Sequence, residues 1–539
     1  MTSPIESADL VFYGTILTVD TAQPTAEALA VSGGRIVAVG SRAEVAEWVG
    51  ERTEVREVDG CVMPGFVEAH GHPLMEAVAL SGRIVDIRPV TLPQAEEVLA
   101  AIRAEVAKRG ADGAFLNGWD PLLQHGLPEP TLAWLDGIAP DTPLVIVHNS
   151  GHKAFFNSAA ARRAGLTLDT PDPKGAKYGR TADGELDGTA EETGAVFPLL
   201  GDAISAKDYP EMLAAECARL NRAGLTTCSE MAFDPMFRPL LAQLHDQLTV
   251  RLRTYEMSTP ALHTDASPAE GDDMVRQIGI KIWVDGSPWV GNIDLTFPYL
   301  DTDATRTIGV VPGSCGHANY TKEQLAEIVG TFFPKGWQLA CHVHGDAGVD
   351  TILDVYEEAL RAHPREDHRL RLEHVGAITP EQLRRAHGLG VTCSLFVDHL
   401  HYWGDVLVEG LFGPEHGERW MPAGSAVATG MRISLHNDPP VTPEEPLRNI
   451  SVAVTRTAPS GRVLAPQERL TVEQGIRAQT IDAAWQLFAD NVIGSLEVGK
   501  YADLVVVSGD PRQTAPESIA DLEVQATFLA GRQVYPKAG

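Results

Sequence analysis

Two histidines two residues apart close the segment CVMPGFVEAHGHP, where His70 and His72 follow an apolar run that Pro64 and Gly65 introduce. On a β-strand, side chains two apart face the same side, so both imidazoles can converge on one metal ion. The pair can equally do no more than share a turn, so its meaning depends on what else the chain supplies. Other apolar runs end in groups of the same kind: His342 closes WQLACH, His374 closes RLRLEH, Asp438 closes ISLHND, and His344 lies two residues beyond His342. Lys281 sits inside IGIKIWVD. Taken singly, a histidine at a strand end is usually structural, and Asp438, followed by two prolines, can simply begin a turn. Taken jointly, four histidines and an aspartate at the ends of apolar runs point to a metal site.

The elements that must position these residues are strands. VMPGFVEAH (63–70), LTTCSEM (225–231), TVRLRTYEM (249–257), IGIKIWVDG (278–286), WQLACHVHG (337–345), HRLRLEHV (368–375), GVTCSLFVDH (390–399) and MRISLHND (431–438) read as eight buried strands. Helix signals lie between them, including Thr321 ahead of Glu323 and Gln324, and the threonine-capped, glycine-ended TPEQLRRAHGLG. Buried strands alternating with helices predict an α/β fold, a distorted parallel (β/α)8 TIM barrel whose site lies at the C-terminal strand ends. A lysine facing that interior costs several kcal/mol unless paired or modified, although on a tilted strand Lys281 can face outward instead.

About 150 residues separate the first two strands, far more than one crossover needs. Within 76–220, GAFLNGWD and PLVIVHNSG suggest an inserted α/β subdomain over the barrel mouth, and TPDPKGAKYGRTADGELDG (170–188) reads as lid or substrate-facing loops or as a solvated connection. The two ends, 1–62 and 492–539, are β-rich and short, and are expected to form one discontinuous β-sandwich beside a barrel spanning 63–491. Six scattered cysteines predict free thiols. The formal net charge of −30 argues against nucleic acid or an anionic membrane as partner. With no signal peptide and no long apolar stretch, the expected location is cytoplasmic.

PGFVEAHGHP, LEH, HNDPPV and the closing GSLEVGKYADLVVVSGDP resemble the amidohydrolase superfamily from about residue 8 to about residue 536. GHKAFFNSAA, IKIWVDGS, CHVHGDAGVDTILDVYE and DHLHYWGD are similar to a branch holding the N-substituted formamide deformylases and the exoenzyme-regulator-like amidohydrolases. The resemblance implies Zn2+, with His70 and His72 on one ion, and His342 and His374 on a second or completing a single site. It implies Asp438 as ligand and proton shuttle, and Lys281 as the carboxylated lysine that bridges two metals. His344 is read as a supporting or substrate group. The chain departs from the common pattern at His436 and Asn437, where many relatives have Gly-Ser, and at Phe396 and Val397, where many have Gln-Pro.

The expected reaction is hydrolysis of a non-peptide amide or N-formyl bond in a small molecule, with activated water as nucleophile. The alternatives are a mononuclear heterocycle deaminase or cyclic amide hydrolase, with Lys281 unmodified, and a non-catalytic regulatory protein. His152, Asn157, Tyr178, Trp119, Trp289, His399 and Trp403 are candidates for contact with an apolar N-substituent, each equally compatible with packing. Glu230 is a candidate hydrogen-bond acceptor for a metal-bound histidine. A homodimer rests on analogy alone.

Overall fold

The frame is a run of eight parallel strands whose order in space is their order in the chain. The computed structural model describes residues 7–201, 207–258 and 262–537. The barrel strands are β1 (Phe66–Glu68), β2 (Leu225–Phe233), β3 (Arg251–Met257), β4 (Val275–Trp283), β5 (Gln338–Val343), β6 (Arg371–His374), β7 (Thr392–Leu395) and β8 (Ile433–Leu435). Each of the eight apolar segments read from the sequence contributes one of them. Neighbours from β1 to β8 pair in parallel, and Gln479 spans the seam between first and last: its carbonyl accepts from Val67 N at 2.9 Å and its Nε2 donates to Leu435 O at 2.5 Å.

Helices between the strands start where the sequence places caps. Thr321 and Gln324 form a capping box ahead of the helix Lys322–Phe332, and Thr379 and Gln382 do the same for Pro380–Gly388. Between β3 and β4 the described residues hold no helix, only the short strand Glu270–Gly271 pairing antiparallel with β4. The helix Ile481–Gln486 lies over the N-terminal end of the barrel, packing Ala483 and Ala484 against Val67, Tyr255 and Ala340.

Between β1 and β2 stands a second sheet of six strands, ordered Lys177–Arg180, Leu186–Glu191, Lys153–Phe156, Leu144–His148, Ala114–Trp119 and Val85–Asp86. GAFLNGWD and PLVIVHNSG supply two of its strands. The segment read as lid loops is instead largely the edge hairpin Lys177–Arg180 and Leu186–Glu191, because alternate residues there bury against the sheet's own core.

The chain ends meet in one seven-stranded sheet, in which Leu504–Val507 pairs antiparallel with the long strand Glu54–Pro64. Phe12, in Leu10–Leu17, and Phe528, in Val524–Leu529, stand three strands apart in that order. In a flat sheet that separation is roughly 14 Å, yet their rings meet at 5.2 Å. The sheet therefore folds over on itself, enclosing Leu29, Val31, Val62 and Leu504 as a sandwich does. All six cysteines are free. No helix among the described residues is long and apolar enough to cross a membrane.

Candidate metal centre

β1 ends at Glu68, so His70 and His72 lie past the strand and not on it, and His72 precedes the helix Pro73–Ala79 that begins with proline. The rings converge all the same: Nε2 of His70 and of His72 lie 3.4 and 3.3 Å from Asp438 Oδ1. Nδ1 of His70 is 2.7 Å from Glu373 Oε2, and Nδ1 of His72 is 3.3 Å from Glu230 Oε1. Each Nδ1 thus has a carboxylate to donate to, which leaves Nε2 of neutral His70 as a free lone pair and makes Nε2 the nitrogen of His72 that a metal would claim by displacing its proton. Lys281 faces inward and is buried, with Nζ 3.2 Å from His70 Nε2, and it makes no ion pair with a described carboxylate.

A second group adjoins the first. His342, His344 and His374 bring ring nitrogens within 4.8 Å of one another, and His70, His72 and Asp438 bring two nitrogens and a carboxylate oxygen equally close. His342 Nε2 is 2.7 Å from the Gly286 carbonyl, which as an acceptor only requires Nε2–H and leaves Nδ1 bare. Nε2 of His374 and Nδ1 of His344 are buried without a partner. Asp285, not singled out from the sequence, accepts from the backbone N–H groups of His344 and Gly345 at 2.9 and 2.8 Å and fixes the end of β5.

His374 and Asp438 both adopt left-handed backbone, φ 69° and 51°. Non-glycine residues held there carry strain that the surrounding fold must impose, a pattern that collects at functional sites. At His374 it has a direct consequence. Adjacent strand residues normally face opposite ways, yet Glu373 and His374 both serve the site, because the backbone of His374, the last residue of β6, has turned left-handed. Strict alternation hides Glu373.

Burial holds His70, His342, His344 and His374 well below the ordinary imidazole range, and neighbouring histidines or Lys281 push the same way. They are neutral, the state in which imidazole binds metal. Burial likewise lowers Lys281, to about 8. His72 rises to about 9: burial opposes its charge, and hydrogen bonds to Asp438 and Glu230 outweigh it.

Over this floor lies a cavity of about 110 Å3, reached by His70, His72, Lys281, His342 and Asp438. Its walls are apolar, from Val78, Ile84, Val147, Val196, Phe197 and Trp283, with Asn149 and His152 entering from the inserted sheet. The His152 ring is 4.7 Å from His342, and its Nδ1 is 2.9 Å from Glu192 Oε2, a second group not foreseen.

The other candidates for substrate contact divide. His399 stacks at 5.4 Å from His344 and meets Trp289 edge-on at 4.8 Å, and Trp289 stacks on Trp403 at 4.7 Å. These three form a buried wall beside the histidines and do not line the cavity over them. Trp119 and Trp289 line a larger cavity of about 810 Å3, which none of His70, His72, His342, His374 or Asp438 reaches. Tyr178 is packed in the core of the inserted sheet. Asn157 caps the helix Ser158–Arg163 and spends its amide on the carbonyls of Ala139 and Thr142, a wholly structural role.

A parallel eight-stranded barrel with buried histidines and an aspartate at its C-terminal rim defines the metal-dependent hydrolase class. The family model of the amidohydrolase family matches residues 59–535, and the chain belongs to that family. It is similar to the N-substituted formamide deformylase of Arthrobacter pascens, 28% identical over 98% of each chain. It is also similar to the protein LONG AFTER FAR-RED 3 of Arabidopsis thaliana, 28% identical over 98% of this chain and 91% of that one. Among solved structures, an uncharacterized metal-dependent hydrolase from Pyrococcus horikoshii OT3 superposes with a TM-score of 0.73 at 21% identity, covering 94% of this chain and 99% of that one.

Proposed function

We propose that this amidohydrolase hydrolyses the carbon–nitrogen bond of a neutral N-substituted amide, formamides among them. The donor set fits two zinc ions. His70 Nε2, His72 Nε2 and Asp438 would hold one and His342 Nδ1 and His374 Nε2 the other, with carboxylated Lys281 between them. The observation that carries this reading is the convergence of His70 Nε2 and His72 Nε2 on Asp438, with Lys281 against His70 and the neutral imidazoles of His342 and His374 alongside, beneath an apolar cavity. Zinc at such a site makes water acidic, with a pKa near 7, and polarises a carbonyl.

The chain's own groups supply the rest. Asp438 is the only carboxylate among the described residues lining the cavity, so it is the group placed to take a proton from the attacking water and return it to the leaving nitrogen. The described lining contains no arginine, and its one lysine is Lys281. A substrate carboxylate would find no arginine and no further lysine to pair with there, which favours neutral amides over N-acyl amino acids. The apolar walls suit an alkyl or aryl substituent, and the similarity to a formamide deformylase supports a formyl carbon at the reacting end.

Enzyme loaded with zinc and bicarbonate should release amine from N-benzylformamide in preference to N-acyl amino acids. Asp438→Asn should lose at least about 100-fold in kcat, in line with the usual contribution of general acid–base catalysis. Preference for the carboxylate-bearing substrates, or full activity of Asp438→Asn, overturns the reading.

A further inference from the structure

We propose that a chain of hydrogen bonds rising through the barrel from Gln486 determines which nitrogen of His374 faces the metal, making Gln486, Ser434, Ser394 and His436 positioning residues. The inference rests on the metal site proposed above, and it gives a role to His436, one of the positions at which this sequence departs from the usual pattern.

The chain begins at the closed end of the barrel. Gln486 Nε2 is 2.8 Å from Thr392 Oγ1 and 2.8 Å from the Cys393 carbonyl. A carbonyl only accepts, so this end of the side chain is the amide NH2, and the other end, Oε1, must accept. Oε1 is 2.7 Å from Ser434 Oγ, which therefore spends its single hydrogen on it. Ser434 Oγ also lies 2.7 Å from Ser394 Oγ, but its one hydrogen cannot serve both oxygens: Gln486 Oε1 has none to give, so Ser434 donates to Gln486 and Ser394 supplies the hydrogen between the two serines. With its hydrogen committed, Ser394 can only accept from His436 Nδ1, 2.8 Å away, so His436 carries its hydrogen on Nδ1. Its bare Nε2 faces His374 Nδ1 at 3.0 Å, which must then be N–H. What remains is a bare His374 Nε2, the same atom that is buried without a partner beside His342 and His344.

Each link has one consistent direction, and the direction is set at Gln486, on the helix below the barrel. His70 is oriented by a separate column: Arg371 Nη2 donates to Glu373 Oε2 at 2.9 Å, and that oxygen receives His70 Nδ1. The two histidines thus reach the same outcome by different means, one through a carboxylate and one through uncharged groups. His436, held by Ser394 on one side and by His374 on the other, has no other hydrogen-bond partner among the described residues to set its tautomer, which is why the polarity of the Gln486 amide decides it.

The test compares wild type, Ser394→Ala, Ser434→Ala and the hydroxyl-restoring Ser394→Thr. Histidine 15N spectra of the metal-free proteins report which ring nitrogen carries hydrogen, with His374→Gln and His436→Gln serving only to assign signals. Zinc affinity is read by competition with a chelator. The expected result is an N–H on Nδ1 of both His374 and His436 in wild type and a mixed population in either alanine variant. Affinity for one zinc should fall about 10- to 100-fold, the usual cost of losing an outer hydrogen bond, with recovery in Ser394→Thr. Unchanged histidine signals in a folded alanine variant overturn the proposal, and so does a His374 hydrogen on Nε2 in wild type. A wild type that binds no zinc while Ser394→Ala still shifts the His374 signals supports the hydrogen-bond chain and refutes the metal reading instead.

Discussion

Lys281 divides the chemistry of the site between one metal and two. Its amine is buried against His70 with no ion pair to a described carboxylate, and burial lowers its pKa to about 8. The free amine, the form that reacts with carbon dioxide, therefore grows as pH rises through that value. Metal-free enzyme given zinc and bicarbonate should recover activity faster at pH 8.5 than at pH 6.5, with the mass of one carbon dioxide added to the Lys281 peptide. Recovery indifferent to bicarbonate, with a single zinc per chain, would favour the mononuclear alternative. Glu373 makes a separate prediction. Glu373→Gln keeps the shape but removes the carboxylate that holds His70 Nδ1, so zinc affinity should drop about 10- to 100-fold, measured by chelator competition. An unchanged affinity would make Glu373 a structural partner of Arg371 alone.

Among the elements, the barrel seam is the place where one residue stands in for a strand pairing. Gln479 joins β1 to β8 through its carbonyl and its amide, both buried. Gln479→Ala leaves the Leu435 carbonyl without that donor and should cost about 1–3 kcal/mol, the penalty for an unsatisfied buried polar group, in urea unfolding. No measurable loss would mean that the seam relaxes without it. Most of this architecture was legible from the chain, since buried strands announce themselves as apolar runs and threonine caps mark the helices that follow. Less legible was anything that depends on leaving the strand conformation. His70 and His72 sit beyond β1, and Glu373 reaches the site beside His374 only because φ turns positive there, a condition imposed by packing. Tyr178 and Asn157 misled for the opposite reason: an aromatic and an amide in polar turns look available for substrate, and only the folded insertion reveals that one fills a core and the other caps a helix.

At the scale of the whole molecule, the sheet built from the chain ends is continuous with the barrel. The strand Glu54–Pro64 pairs within that sheet, and one residue later the chain enters β1, with Gly65 N donating to the Asp503 carbonyl at 2.9 Å. The side chain of Asp503 receives Arg251, at the start of β3, at 2.6 and 3.1 Å, with both partners buried. A guanidinium at that depth without its partner is costly, so Asp503→Ala should lose about 3–5 kcal/mol, as breaking a buried ion pair does. Asp503→Leu combined with Arg251→Met should lose much less, because no buried charge is left unpaired. The histidine cluster lies at the opposite ends of the strands, and zinc bound only to the folded state adds stability by mass action, about 2.7 kcal/mol at a free concentration a hundred times its Kd. The fall in melting temperature on chelation should therefore be nearly the same in Asp503→Ala as in wild type. If chelation no longer moves the melting point of Asp503→Ala, the junction is not separate from the metal site: strain at the base of β1 then reaches His70 and His72, and the chain-end sheet helps to hold them in place.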